Sequence, residues 1–195
     1  MNAPAVMSKR DELLEVASQL FYEQGYAATG IKQIIDTAGI AKGTFYSHFQ
    51  SKEELGLSWL QKRQSDWDAW LEGALAKGRS PRTKILGLFE HLKEWMPQCD
   101  YRGCAFLNTL PELPDAECGM RQEILDHKVG FRDIILDLAI EHFAKEPQSW
   151  SKQKGMAIFL LFEGALVSGQ NFRDPGPLVA AKNEVASILG QSSDG

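Results

Sequence analysis

Apolar positions recur at helical spacing along almost the whole chain. Leu13, Leu14, Val16, Ala17, Leu20 and Phe21 form one stripe that Gly25 ends, which predicts a first helix. Thr29 is the expected N-cap of a short helix carrying Ile31, Ile34 and Ile35, and Gly39 marks its end. A second short helix is expected from about Ala41 to His48. Ser51 then caps a long one, with Lys52, Glu53 and Glu54 in its first turn and Leu55, Trp59, Leu60, Trp67, Leu71 and Leu75 along it. Ser51 and Glu54 have the spacing of a capping box.

Ser80-Pro81 restarts the chain as N-cap and first helical residue, and Ile85, Leu88, Phe89, Leu92 and Met96 carry that helix to Pro97. Pro111 and Pro114 break the next segment, leaving a short helix between Cys104 and Leu113. Ile124, Val129, Phe131, Ile134, Ile135, Leu138 and Phe143 trace a long helix towards Pro147. Ser151 is expected to open another, running to about Phe172. After the turn Asp174-Pro175-Gly176-Pro177, a last helix covers Leu178 to Leu189, and 190–195 is expected to be disordered. No stretch alternates as a strand does. The expected fold is all-α with about nine helices: an N-terminal three-helix bundle, then a larger helical domain. The character changes near residue 50.

Composition narrows the function classes. With 195 residues, 44% hydrophobic and 24% charged, the chain has ample material for a core. Its longest strongly apolar run, Ile158 to Phe162, is far too short for a membrane span. Met1 to Arg10 lacks the apolar centre of a secretion signal, so a cytoplasmic location is expected. Cys99, Cys104 and Cys118 form no CxxC pair and read as free thiols in a reducing compartment, without a metal or cofactor. His48, His91, His127 and His142 stand singly on different helices, and no metalloprotease, nucleophile-elbow or phosphate-loop motif occurs. An enzyme is not expected.

The stretch from Thr29 to Phe49 reads as helix, turn, helix. Ala38 is small enough for crossing helices to approach, and Gly39 suits a left-handed turn. Ile31, Ile34, Ile40, Phe45 and Phe49 supply buried contacts. The second helix is left with Lys42, Gly43, Thr44, Tyr46, Ser47 and His48 for its surface. Docked in a major groove, Lys42, Gly43 and Thr44 come closest to base edges, while Tyr46, His48 and Lys52 suit phosphate oxygens. Thr29 and Lys32, on the first helix of the pair, complete the expected DNA-binding set. The plainer alternative is a helical hairpin inside a larger helical protein, with Tyr46 and His48 as ordinary half-exposed residues. Charge is an objection to DNA binding. The net charge is −5, and residues 1–60 carry five basic against seven acidic side chains.

Residues 9–55 resemble the N-terminal domain of the tetracycline-repressor family of bacterial regulators. The resemblance rests on Thr29 to Ile40, on Lys42-Gly43-Thr44-Phe45-Tyr46-Ser47-His48-Phe49, on Ser51-Lys52-Glu53-Glu54-Leu55, and on Phe21-Tyr22-Glu23-Gln24-Gly25-Tyr26 before them. Two positions depart from the pattern. Gly30 stands where members usually carry Ser or Thr, and Ala41 stands where the recognition helix usually has a Ser cap, which weakens that cap by about 1 kcal/mol.

The resemblance implies a DNA-binding domain over 8–55 and an effector-binding and dimerisation domain over 56–190. It also implies a homodimer whose last two helices pair with those of the other subunit, a palindromic operator, and release by a small effector. Phe159, Phe162, Leu166, Leu178, Val185 and Leu189 are the expected dimer contacts, the other reading being an intramolecular core. Effector candidates are Trp67, Phe89, Trp95, Phe106, Phe131 and Phe162, large aromatics suited to an apolar or aromatic ligand; each is also an ordinary core residue.

Tyr101-Arg102-Gly103-Cys104-Ala105-Phe106-Leu107-Asn108 resembles a second signature, that of a subset whose sixth helix opens with Gly-Cys and some of whose members sense oxidants or electrophiles. On that reading Cys104, at a helix start beside Arg102, is the sensor, with Cys99 as its resolving partner. The alternatives to an effector-released repressor are this thiol-based sensor and a helical adaptor that has lost DNA binding.

Overall fold

A computed structural model describes residues 7–113 and 117–190, and among them the fold is nine α-helices joined by short turns. The first three are α1 (Lys9–Gln24), α2 (Ile31–Ala38) and α3 (Lys42–His48). Ser8 caps α1 by accepting the Asp11 backbone N–H at 3.2 Å, worth about 1 kcal/mol. Gly25 ends it at φ 102°, where a side chain would be strained. Next come α4 (Lys52–Ala76), α5 (Pro81–Trp95) with a 3-10 turn at Met96–Cys99, and the short α6 (Ala105–Thr109) with a 3-10 turn at Leu110–Glu112. The last three, α7 (Gly119–His142), α8 (Gln148–Phe172) and α9 (Gly176–Ile188), are long or apolar. No described helix is long and apolar enough to cross a membrane.

The chain packs as two compact units. One takes the described residues up to Ser65 together with Ala105–Leu125; the other takes Asp66–Cys104 with the described part of Asp126–Gly195. The first unit is built on Leu13, Ala17, Phe21, Ile34, Phe45, Phe49, Leu55, Trp59 and Met120, all buried. Phe21 meets Trp59 at 5.3 Å between ring centroids. In the second unit α5, α8 and α9 share a core of Ile85, Leu88, Phe89, Ile158, Phe162, Leu166, Leu178 and Val185. Gly155 lets α8 lie against α7, since a Cβ there would stand 2.9 Å from Leu136 and 3.0 Å from Ala139.

Three helix starts differ from the expectation. Gly30, not Thr29, is the N-cap of α2 and makes no side-chain cap. Thr29 is wholly buried, and its hydroxyl donates backwards to the Gly25 carbonyl at 2.8 Å. Helix α8 begins at Gln148 after Pro147, three residues before Ser151. Ser151 is a buried residue of its first turn and donates to the carbonyls of Phe143 and Pro147. Helix α9 begins at Gly176, inside the expected turn. At α4, Ser51 accepts the Glu54 N–H at 3.1 Å, but the Glu54 carboxylate takes the N–H of Gln50 at 2.7 Å, one residue before the capping-box position. Beyond Gly190, the expected disordered tail lies outside the described residues.

Candidate nucleic-acid interface

The α2–α3 turn is closed by Gly39, at φ 64° and ψ 34°, with its N–H donating to the Asp36 carbonyl and the N–H of Ile40 to that of Ile35. These are the bonds of a left-handed helix stop. Ile34, Phe45 and Phe49 are fully buried beneath the pair, while Ile31 and Ile40 are half-buried. Phe45 is the only buried residue of α3. Pinned by that one ring and by Phe49 behind it, α3 turns Lys42, Gly43, Tyr46 and Ser47 outwards.

Lys42, Gly43, Tyr46 and Ser47 are exposed, Tyr46 at 44%; Thr44 and His48 are half-buried. A Cβ at Gly43 would meet nothing within 4 Å, so packing does not demand glycine there, and close approach of a partner from outside remains a reason for it. The Lys42 ammonium lies 5.9 Å from the Tyr46 ring, placing a cation beside a hydroxyl-bearing aromatic on one face. Ala41 supplies no capping side chain, as expected from the sequence, and neither does Gly30, the N-cap in place of Thr29.

The other predicted contacts are less simple. Lys32 is exposed but pairs with Asp36 at 2.8 Å, a hydrogen bond that raises its pKa. Lys52 is half-buried, 4.2 Å from the Tyr26 ring and 3.4 Å from the Ala27 carbonyl. Desolvation lowers its pKa, and the Glu112 carboxylate opposes the shift. Thr29 is a correction: with its hydroxyl turned into the bundle, its side chain is not part of an outer face.

The second unit gathers the aromatic candidates unevenly. Trp67 meets Phe131 at 5.1 Å, Phe131 meets Phe162 at 4.8 Å, and Phe162 meets Phe89 at 5.3 Å. Trp67 also stacks on Trp70 at 4.6 Å, and Trp70 faces His91 at 4.8 Å. Trp70 Nε1 and His91 Nδ1 are buried without a hydrogen-bond partner, Glu94 being 3.8 Å from the latter. His127, packed edge-on against Trp67, is pushed down to a pKa of about 3 by burial first and the Lys128 charge second. Trp95 is half-buried, and Phe106 is buried in the first unit. An open groove of about 590 Å³ on Leu71, Leu75, Asp68, Glu72 and Lys84 contains none of the predicted effector residues.

Cys104 stands just before α6 and is partly exposed, with Lys128 Nζ 3.8 Å from its sulfur; that ammonium also pairs with Glu163 at 2.9 Å. Cys99 donates to the Met96 carbonyl at 3.2 Å.

The expected dimer contacts need correction. Phe162, Leu166, Leu178, Val185 and Leu189 are all buried within the single chain, and Phe159 is half-buried. They form the seam of α8 with α9 and α5. The apolar residues these helices expose are others: Met156, Leu160, Val167 and Phe172 on α8, the last 72% exposed, and Val179 on α9.

Residues 13–57, which span α2, α3 and their supports, match the family of bacterial regulatory proteins called the tetR family. Over 97% of this chain and 98% of the relative, the sequence is 26% identical to the HTH-type transcriptional repressor NemR of Escherichia coli. It is 45% identical to the HTH-type transcriptional repressor KstR2 of Mycobacterium tuberculosis over 45% of this chain and 44% of that one. Among solved structures, a TetR-family transcriptional regulator from Streptomyces coelicolor superposes with a TM-score of 0.85 at 25% identity, covering 95% of this chain and 96% of that one. These likenesses are all to transcriptional regulators. The chain is thus similar to the tetR family of bacterial regulatory proteins over residues 13–57, and to a TetR-family regulator in fold over 95% of its length.

Proposed function

We propose that the chain is a cytoplasmic, homodimeric transcriptional repressor that binds a palindromic operator through residues 8–55 and is released by a small effector bound within 56–190. The observation that carries this reading is the outer face of α3. Lys42, Gly43, Tyr46 and Ser47 point away from the only buried residue of a helix that follows a tight left-handed turn. Lys42 and Thr44 face base edges, and Tyr46, His48, Lys32 and Lys52 face phosphates. The acidic net charge is no bar, because groove binding depends on local charge at the contact. NemR and KstR2 are both repressors by name, which favours repression over activation.

Support for a dimer comes from the exposed apolar row Met156, Leu160 and Val167 on one face of α8, with Val179 exposed on α9. One helix-turn-helix reads a single half-site, and two-fold pairing doubles the contact. The connected aromatic rings from Trp67 to Phe89, beside two unpartnered nitrogens, favour an apolar or aromatic effector with at least one polar atom.

A second reading, release by thiol modification, is favoured by one contact: the Lys128 ammonium beside Cys104. Alkylation of the three cysteines separates the two readings. If Cys104 is the switch, its modification lowers operator affinity in the wild type and not in Cys104→Ser; equal loss in both leaves only the non-covalent effector.

Selection from a random duplex library by the full chain tests the main reading. Recovery of a two-fold symmetric sequence is the expected result. Failure to enrich any sequence overturns it.

A further inference from the structure

Glu112 lies in a 3-10 turn 85 residues from the loop it touches, and its carboxylate oxygen accepts the Ala27 backbone N–H at 2.6 Å. The fit is close. A Cβ built on Gly25 would stand 2.9 Å and 3.2 Å from the two carboxylate oxygens, so the carboxylate fills the space that a glycine at φ 102° leaves open. Two further contacts hold the same loop, one from the start of α4 and one within the loop itself. Lys52 reaches over the Tyr26 ring to the Ala27 carbonyl, and the buried Thr29 hydroxyl donates to the Gly25 carbonyl. The loop from Gly25 to Thr29 leads directly into α2, whose cap, Gly30, has no side chain to hold it. Its geometry therefore rests on the Thr29 hydroxyl within the loop and on the Glu112 and Lys52 side chains that grip it from outside.

We propose that Glu112 is a positioning residue for DNA binding: from the Ala105–Leu125 segment it holds the Gly25–Thr29 loop, and with it the start of α2 and Lys52, in the arrangement that fits the operator. The proposal rests on the DNA-binding reading above. Glu112 touches no DNA. It fixes the backbone of a loop and supplies a negative charge that favours the charged form of the partly desolvated Lys52.

Simple electrostatics gives the opposite sign, which makes the test sharp. Removing a carboxylate from a DNA-binding unit strengthens attraction to phosphates. Loss of positioning weakens specific binding. The experiment compares full-length wild type, Glu112→Gln and Glu112→Ala on the duplex that the wild type selects from a random library, and on an unrelated duplex. It adds amide hydrogen exchange at Ala27. The expected result is about a tenfold loss of specific affinity in Glu112→Ala, with unchanged or tighter binding to the unrelated duplex. Glu112→Gln, which keeps an acceptor for the Ala27 N–H, falls between. Ala27 exchanges faster in Glu112→Ala while the helical content stays the same. Specific binding equal to or tighter than wild type in Glu112→Ala overturns the proposal, as does unchanged exchange at Ala27. A wild type that selects no duplex overturns the DNA-binding reading itself, and the exchange measurement then still reports whether Glu112 holds the loop.

Discussion

The α2–α3 pair and the α8–α9 pair each bury one face and expose another, and the exposed faces are of opposite kinds. Helix α3 spends a single ring on the core and shows solvent a lysine, a glycine, a tyrosine hydroxyl and a serine. Helix α8 buries Ile158, Phe162, Ala165 and Leu166 and still shows Met156, Leu160, Val167 and Phe172. A polar outer face with a cation suits a hydrated, charged partner such as a phosphate backbone. A second apolar row, Met156, Leu160 and Val167 at helical spacing, suits another protein surface, because apolar area returns free energy only when it leaves water. The two pairs of helices thus present outer faces of opposite chemistry.

The comparison is broken most severely by attacking the buried seam. Phe162→Ala should cost about 3–5 kcal/mol, the range for a large core side chain, and Phe162→Asp should prevent folding of the second unit. Thermal unfolding followed by circular dichroism checks this; a variant as stable as wild type would mean that Phe162 lies on an outer face after all.

Changes on the exposed row have a different signature. Leu160→Glu combined with Val179→Asp should leave the melting temperature of each subunit's fold near that of wild type while converting dimer to monomer and abolishing operator binding. Sedimentation of this double variant as an intact dimer would move the interface away from α8 and α9.

A pH titration sharpens the second unit alone. The folded-state pKa of His127, about 3, lies below its unfolded value near 6.5. The unfolded chain therefore takes up a proton that the folded chain refuses, and this contribution to stability is whole above about pH 6.5 and lost as pH falls towards 3. His127→Gln should flatten that slope in the melting temperature between pH 6.5 and pH 4; an unchanged slope would place the acid sensitivity elsewhere.

The smallest expected effects are on α3. Tyr46→Phe should weaken binding to all duplexes alike, by about 1 kcal/mol, the scale of one hydrogen bond. Lys42→Met and Thr44→Ala should change which operator variants bind best. A Tyr46→Phe protein that reorders those variants would exchange the two roles.

Much of the α2–α3 region was legible in the sequence because its signals are local. Gly39 at a left-handed turn, the apolar spacing of Ile34, Phe45 and Phe49, and the polar remainder of α3 all lie within twenty residues. Thr29 was misread for a related reason: threonine before a helix fits both a cap and an inward hydroxyl, and only the presence of the Gly25 carbonyl behind it decides. On α8 and α9 the helices were legible but their facing was not. Periodicity marks Phe162 and Leu160 equally as apolar, and which of the two meets the same chain depends on where α5 and α7 lie. Glu112 left no sequence signal at all, since its partner loop is 85 residues away.

The central claim is that the outer face of the α2–α3 pair binds duplex DNA, and the salt dependence of binding to the selected duplex tests it most directly. If Lys32 and Lys52 of each protomer neutralise roughly four phosphates per dimer, affinity should fall about a hundredfold between about 50 mM and about 200 mM salt. Lys32→Met should make that slope shallower by roughly two phosphates' worth per dimer. A chain whose retention on that duplex is insensitive to salt, with Lys32→Met behaving as wild type, would contradict the account.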